Sequence, residues 1–469
     1  MFNYITLTPM TNVFYSRKVT LSSLAFLLVL LVYSPRNIFA QDEAPMPSAF
    51  DDTTTSNIDT AKGKSNPSVQ KGYENMTAGE FTPAKGFDIF KSDIVSLNLS
   101  FYGLVRYINQ TPGEQSFTDH LGNVRTVSAR NDIEWQRSFI WLTGFFYDKR
   151  FRYNVSIWSL GSTQQTLVFG QLMYQFSRAF TLGAGIGPNL GVRSMQGSWP
   201  FWLSSDRQMG EEFVRPGFTN TAFITGEALS RFYYKVSVGN NISQLSIKAA
   251  NDARDFTYGA SLWWMPTTGE FGPRGGFGDL EYHEEVATRF GVSATFTRDD
   301  RGNPVSDSIP FETQLRLSDG VYVYERGALA PGVTLQKADY AIIAFDAGMK
   351  YRGFNLQVEY YMRSLSNFLA TGPLPEDKII DNALSIYATY MIVPSYLDIH
   401  GSTSLVFDQF ERKPWEVSGG LSYYPSGTRS WRVNLHVNKI DKSPTGSTFG
   451  FYTAGQTGTT YSIGTDILL

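Results

Sequence analysis

Between Asp339 and Arg363 the chain reads DYAIIAFDAGMKYRGFNLQVEYYMR, and its side chains alternate in character with a period of two. Ala341, Ile343, Phe345, Ala347, Met349 and Tyr351 share one face, while Tyr340, Asp346 and Lys350 share the other. After Arg352-Gly353 the alternation resumes. Phe354, Leu356, Val358, Tyr360 and Met362 oppose Asn355, Gln357, Glu359 and Arg363. Alternation of this kind marks strands, and a tight polar turn between two such runs marks an antiparallel hairpin. At about 3.3 Å per residue, each limb can cross a bilayer's hydrocarbon layer on a tilted path. An apolar face with aromatics near its ends suits a sheet wrapped by lipid and polar inside.

The rest of the chain repeats this unit. Aromatic residues make up 15% of 469 residues, with 42 glycines and no cysteine. Tyr, Phe and Trp form strands and also favour membrane interfaces. Mean hydropathy is slightly negative, too polar for a bundle of membrane helices. Without cysteine, structural disulfides and thiolate metal sites are excluded.

One long apolar run exists, LSSLAFLLVLLVY (Leu21 to Tyr33), preceded by Arg17 and Lys18 and followed by Ile38-Phe39-Ala40 before Gln41. A basic start, a short apolar centre and a small residue before the cut predict a secretory signal over 1–40. The run is shorter than a spanning helix needs, which disfavours a permanent anchor. The stretch before Arg17 is long for such a signal, so translation from Met10 is an alternative to Met1. The signal holds Arg17, Lys18 and Arg36 and no acid, leaving 37 basic against 43 acidic residues, a net of −6. That balance gives no support for nucleic-acid binding.

Residues 41–91 are poor in apolar side chains and rich in Ser, Thr, Asp, Asn, Pro and Gly. They read as a flexible periplasmic segment, with a small folded plug as the alternative. From 92 to 469 strands follow one another. The first carries Val95, Leu97, Leu99, Phe101, Val105 and Tyr107 on one face. Ile133 to Tyr147 is apolar on both faces and ambiguous in register, with a turn expected at Asp148-Lys149-Arg150. The count reaches about sixteen.

Long and short connections alternate. The short ones fall near Lys149, Arg178, Leu229, Arg352, Pro394 and Gly427, and the link around Gly269–Glu285 is longer than its place in the alternation predicts. Segregated loop lengths and an even strand count predict an all-β fold, a transmembrane antiparallel β-barrel with long extracellular loops and short periplasmic turns. The last strand alternates through Tyr461, Ile463, Thr465, Ile467 and Leu469, and resembles the C-terminal signal read by the barrel-assembly machinery. Leu469 stands where Phe is usual.

FDAGMKYRGFNLQVEYYMR (Phe345–Arg363), IYATYMIVPSYLDIHGS (Ile386–Ser402), EVSGGLSYYPSGTRSWRVNLHV (Glu416–Val437) and TLGAGIGPNLGV (Thr181–Val192) resemble the phosphate-selective porin O and P family. The likeness is one of pattern and covers most of the chain after Ser92. It implies a 16-stranded outer-membrane barrel, commonly a homotrimer, passing small anionic or neutral solutes by diffusion, with no cofactor. It also implies that the third long loop, 188–217, folds inward and narrows the lumen. There Trp199, Phe201 and Trp202 would anchor the loop on the wall, and Arg193, Arg207 and Arg215 would line the constriction. Arginine's fixed fork of donors suits phosphate and carboxylate. Arg106, Arg152, Arg231, Lys235, Arg289, Lys350, Arg363 and Arg432 share the inward phase and would extend a basic path. Acids share these places, so the same arginines can equally be partners in a lumen charge network.

Other chemistry is weakly represented. His120, His283, His400 and His436 lack the spacing of a zinc site, and His283-Glu284-Glu285 lacks the second His of HExxH. GPRGGFGD (Gly272–Asp279) lacks the ending of a phosphate loop, and no helical pattern follows Gly183, Gly185 and Gly187. Two rivals to a porin remain. One is a receptor or adhesin using the long loop 298–338. The other is a barrel enzyme, which would need Ser and His together at the lipid face.

Overall fold

The computed structural model describes residues 86–161, 165–196, 199–242, 255–272, 276–300, 315–446 and 451–469. The expected signal and most of the 41–91 segment lie outside the described residues. In chain order the strands are β1 (Phe87–Lys91), β2 (Ser96–Thr111), β3 (Gln115–Thr118), β4 (Val124–Val127), β5 (Asn131–Phe146), β6 (Asp148–Leu160) and β7 (Gln165–Ser177). Then come β8 (Phe180–Pro188), β9 (Phe218–Leu229), β10 (Phe232–Gly239), β11 (Thr257–Trp264), β12 (Ala287–Asp300) and β13 (Leu335–Tyr351). The last are β14 (Phe354–Ala370), β15 (Lys378–Val393), β16 (Leu397–Asp408), β17 (Trp415–Tyr423), β18 (Trp431–Asp441) and β19 (Gly458–Leu468).

Sixteen of these close into a ring. β2 pairs with β5, each later strand pairs with the next, and β19 returns to β2 through Thr459↔Thr111 to Leu468↔Tyr102, antiparallel throughout. Closure leaves no free edge, the one arrangement in which a sheet can be wrapped by lipid with every backbone group paired. No helix among the described residues is long and apolar enough to cross a membrane.

The alternation read from the sequence is the alternation of the wall. Phe345 is 47% exposed on the outer skin, whereas Tyr340, Asn355 and Gln357 are fully buried on the inner face. The β13–β14 hairpin turns on Arg352 and Gly353, both at positive φ. Two-residue turns of that hand match the twist of the flanking strands.

Three details depart from expectation. The β5–β6 turn sits at Tyr147 (φ 62), with Phe146 already opposite Asp148, rather than over Asp148-Lys149-Arg150. Within the segment expected to be flexible, Phe87–Lys91 form β1, which pairs with β2 through Phe87↔Leu99 to Lys91↔Ser96. Finally, the two-faced apolar character of β5 has a structural cause. Val105 pairs with Trp135 and Leu104 with Arg137, so Gln136 is an extra residue that shifts the register. Such a bulge swaps the faces. Ile133 and Trp135 point outward before it; Phe139 and Trp141 point inward after it.

Candidate functional site

At the waist the bore is narrowed by protein, because two connections fold into it from opposite ends. The loop after β8, residues 189–217, enters from the long-loop end and is buried over most of its described length. The link between β11 and β12, residues 265–286, enters from the short-turn end. They meet where the Phe277 N–H donates to the Phe201 carbonyl at 2.7 Å. Nearer the long-loop end, residues 315–328 bury Leu317, Val323 and Tyr324 in the same core.

The inward loop carries one short helix, α1 (Met209–Val214), lying against β14 to β17. A helix leaves its first N–H and last C=O groups without intrahelical partners. Here the barrel wall supplies them. The Met209 N–H donates to Glu416 Oε1 at 2.6 Å and the Gly210 N–H to Ser404 Oγ at 3.0 Å. At the other end the Phe213 carbonyl accepts from Arg363 Nη1 at 2.8 Å, and the Val214 carbonyl from the Tyr340 hydroxyl at 2.7 Å. Gly210 is required by closeness, since a Cβ there would lie 2.3 Å from Ser404 Oγ.

The three aromatic residues expected as loop anchors lie on or beside the wall. Trp199 packs on Tyr102 (4.6 Å between ring centres) and Phe139 (4.9 Å), which stacks in turn on Trp141 and Trp158. This sector of the bore is packed with aromatic rings. Trp202 sits edge-on to Trp199 and lies under the Arg207 guanidinium at 4.5 Å. Phe201 meets the second insert: a Cβ on Gly276 would lie 2.3 Å from Phe201 Cβ.

The three loop arginines are buried among carboxylates. Arg193 lies 3.9 Å from both Asp346 and Glu359 and 4.7 Å above the Phe277 ring. Arg207 reaches Glu211 at 3.2 Å, and Arg215 binds Glu212 through two nitrogens, at 2.6 and 2.8 Å. Four of the eight wall residues expected to form a basic path bond to the inward-folded loops. Arg363 pairs with Asp381 at 2.7 Å while donating to the Phe213 and Arg316 carbonyls. Arg432 pairs with Asp466 and donates to the Trp202 carbonyl at 2.6 Å. Arg289 joins Asp346 at 2.9 Å to Gln196 of the loop at 2.6 Å, and Arg106 joins Glu134 to Asp206.

Lys235 lies inward over the Phe223 ring at 4.3 Å. Arg152 is at the short-turn rim, bonded to the Lys149 carbonyl. Arg231 is a correction: it occupies the β9–β10 turn at φ 66, exposed, and donates to the Pro266 carbonyl at 2.6 Å. The alternation of Phe232, Tyr234 and Val236 gives Arg231 an inward strand phase, but the turn takes it out of the ladder.

Lys350 belongs to a cluster that the sequence did not disclose. His283 Nε2 is 2.9 Å from Glu270 Oε1, its Nδ1 is bonded to Asp279, and Asp279 Oδ2 accepts the Gly353 N–H at 2.7 Å. The second insert is thereby tied to the β13–β14 turn. Burial opposes charge on His283, but the hydrogen bonds to Asp279 and Glu270 outweigh it and raise its pKa to about 9. Burial likewise works to raise Glu270, yet the His283 hydrogen bond and charge bring it down to about 2. Asp279, Glu281 and His283 place one ligand atom each within 4.8 Å of one another, a spacing that could hold a metal ion. The Lys350 side chain is buried beside them.

The remaining histidines also differ in setting. His120 pairs with Asp319 in a long loop at 2.6 Å. His400 and His436 stack inside the barrel, Nε2 to Nδ1 at 3.2 Å, with Asp398 behind His400 at 3.0 Å.

No protein-family profile matches the chain, and no curated relative matches it. Solved structures do resemble it. The outer-membrane expressed OmpT of Vibrio cholerae is 12% identical, with 81% of this chain and 100% of that chain covered and a TM-score of 0.49. The anion-selective porin from Comamonas acidovorans is 12% identical (80% and 100% covered, TM-score 0.45), and Salmonella typhi OmpF in complex with daunomycin 11% (82% and 100% covered, TM-score 0.44). Identities and scores this low assign neither family nor function, so the activity has to be read from the barrel's own residues.

Proposed function

We propose that the chain is an outer-membrane porin that lets small hydrophilic solutes diffuse through a barrel narrowed by inserts from both ends. One observation carries this reading: a closed sixteen-stranded ring, apolar outside, whose inner face buries many charged and polar side chains bonded to the inserted loops, beside an apolar cluster that packs those loops on the wall. A barrel built only as an anchor has no need of an inner wall of paired charges, which is costly to bury. The protein reaches the membrane after export, is handed in through β19 by the assembly machinery, and assembles as a homotrimer surrounded by outer-membrane lipid. It is not an enzyme on this reading.

Selectivity for anions such as phosphate is the finer reading, and the guanidinium density around Arg193, Arg207 and Arg215 favours it. Each of those groups faces a carboxylate, however, so the charge left over at the waist decides selectivity rather than the number of arginines. The test is reconstitution of the full chain in planar bilayers. Discrete conductance steps in potassium chloride are expected, together with swelling of proteoliposomes in small sugars. Folded protein that inserts yet gives neither, while ligands bind its long loops, would replace the porin with a receptor.

A further inference from the structure

The three loop arginines and Arg106, Arg289, Arg363 and Arg432 of the wall each face a carboxylate, and Lys350 is buried beside Glu281. Lys235 is different. It lies on the inner face of β10, 4% exposed, with Nζ 4.3 Å from the centre of the Phe223 ring. Among the described residues no carboxylate pairs with it, and no charged neighbour bears on it. Two acids of the same wall are engaged elsewhere. Glu227 of β9 is bonded to Arg178 and accepts the Arg231 N–H at 2.8 Å, and Asp346 of β13 accepts from Arg289 at 2.9 Å.

The surroundings of Lys235 are neutral and polar. Strand register places Thr181, Thr225, Lys235, Ser261 and Ser293 in one row across β8 to β12. Thr225 donates its hydroxyl hydrogen to the Tyr234 carbonyl at 2.8 Å, and Ser261 and Ser293 share a hydrogen bond at 3.0 Å. Gly183 makes room for the Phe223 ring, since a Cβ there would lie 2.3 Å from it.

We infer that Lys235 is the counter-charge for a small inorganic anion in the lumen, and that this lysine, rather than the arginines, gives the channel a preference for anions. A buried ammonium without a carboxylate is costly, and an anion removes that cost. The Phe223 ring covers one side of the cation, and three N–H donors with no acceptor leave the rest to a negative ligand. Glu416 also meets neutral donors, but α1 sits on it and hydrogen bonds from Met209, Asn438 and Tyr452 already satisfy it. A lysine is a compact point charge without the arginine fork, so the site takes chloride as readily as phosphate. The inference rests on the porin reading for current, whereas anion binding itself does not.

Full-length protein is measured in two ways. In planar bilayers under a potassium chloride gradient, the wild-type reversal potential is expected to show chloride crossing more readily than potassium. Lys235→Gln is expected to lower that preference severalfold, and Lys235→Arg to retain most of it. Lys149→Gln, at the exposed short-turn rim, is expected to leave it unchanged. In detergent micelles, where no current flows, folded wild type is expected to broaden the chlorine NMR line of potassium chloride, and Lys235→Gln to lose that excess. Lys235→Met, of similar length, covers the case in which Gln at this place fails to fold. A wild-type channel that prefers potassium, or a folded neutral variant with wild-type selectivity and line width, overturns the inference. So does a wild type that passes phosphate strongly in preference to chloride, which would return selectivity to an arginine fork. Line broadening that depends on Lys235 without any current keeps the site and removes the channel.

Discussion

The Phe277 N–H and the Phe201 carbonyl, 2.7 Å apart, join two connections that enter the barrel from opposite ends. Phe277 also packs, tilted, against Tyr387 of the wall at 4.3 Å between ring centres and lies under Arg193 at 4.7 Å. The lower insert thus depends on contacts with the upper one. Replacing Phe277 with Ala removes a buried ring worth about 3 kcal/mol of packing. Single-channel conductance is expected to rise, while the folded barrel keeps its resistance to unfolding in unheated gels. Unchanged conductance would show that the inserts do not limit flow.

The tie at the short-turn end is sensitive to pH. His283 has a folded-state pKa raised to about 9, so its contribution is complete below its ordinary value near 6.5 and is lost as pH rises through 9. Glu270, held near 2, contributes fully above its ordinary value and loses that only in strong acid. Asp279 and Lys350 face the same imidazole and are part of the balance. Protease cleavage in 265–286 is expected to be slow at pH 6 and to accelerate between pH 7 and 9.5. The same chain with His283→Gln should show no such rise.

Arg363 and Asp381 form a buried pair that also holds the end of α1. Arg363→Met strands the Asp381 carboxylate and is expected to cost about 3–5 kcal/mol, whereas adding Asp381→Leu should restore most of it. The midpoint of unfolding in urea measures both. A double variant as unstable as the single one would show that the loss lies in the α1 contacts rather than in the stranded charge.

Gln136 sets the phase of half a strand. Deleting it would turn Phe139 and Trp141 toward lipid and Ile140 and Leu142 into the lumen, because a shift of one residue exchanges the faces. Such a chain is expected not to reach the heat-modifiable folded form. Substituting Gln136 by Ala, which keeps the extra residue, should leave folding nearly intact.

Sequence alone determined the ring. Alternation such as Phe345 and Met349 against Tyr340 and Lys350 follows from the pleat, a local property, and loop lengths fix which ends lie together. It also singled out the link around Gly269–Glu285 as too long for its place, while the inward turn of the loop 188–217 was implied by the family resemblance alone. What the inner face meets was left to tertiary structure. An inward Arg, Asp or Gln satisfies the same pattern whether it faces water or the backbone of an inserted loop, because both offer hydrogen-bond partners. Only the fold shows that Arg363 and Arg432 hold loop carbonyls, that Glu416 caps α1, and that Phe201 meets Phe277. Those contacts join segments far apart in the chain, where no periodicity carries the information. The bulge at Gln136 is the intermediate case: its trace is visible as a strand apolar on both faces, but its position is set by pairing with β2.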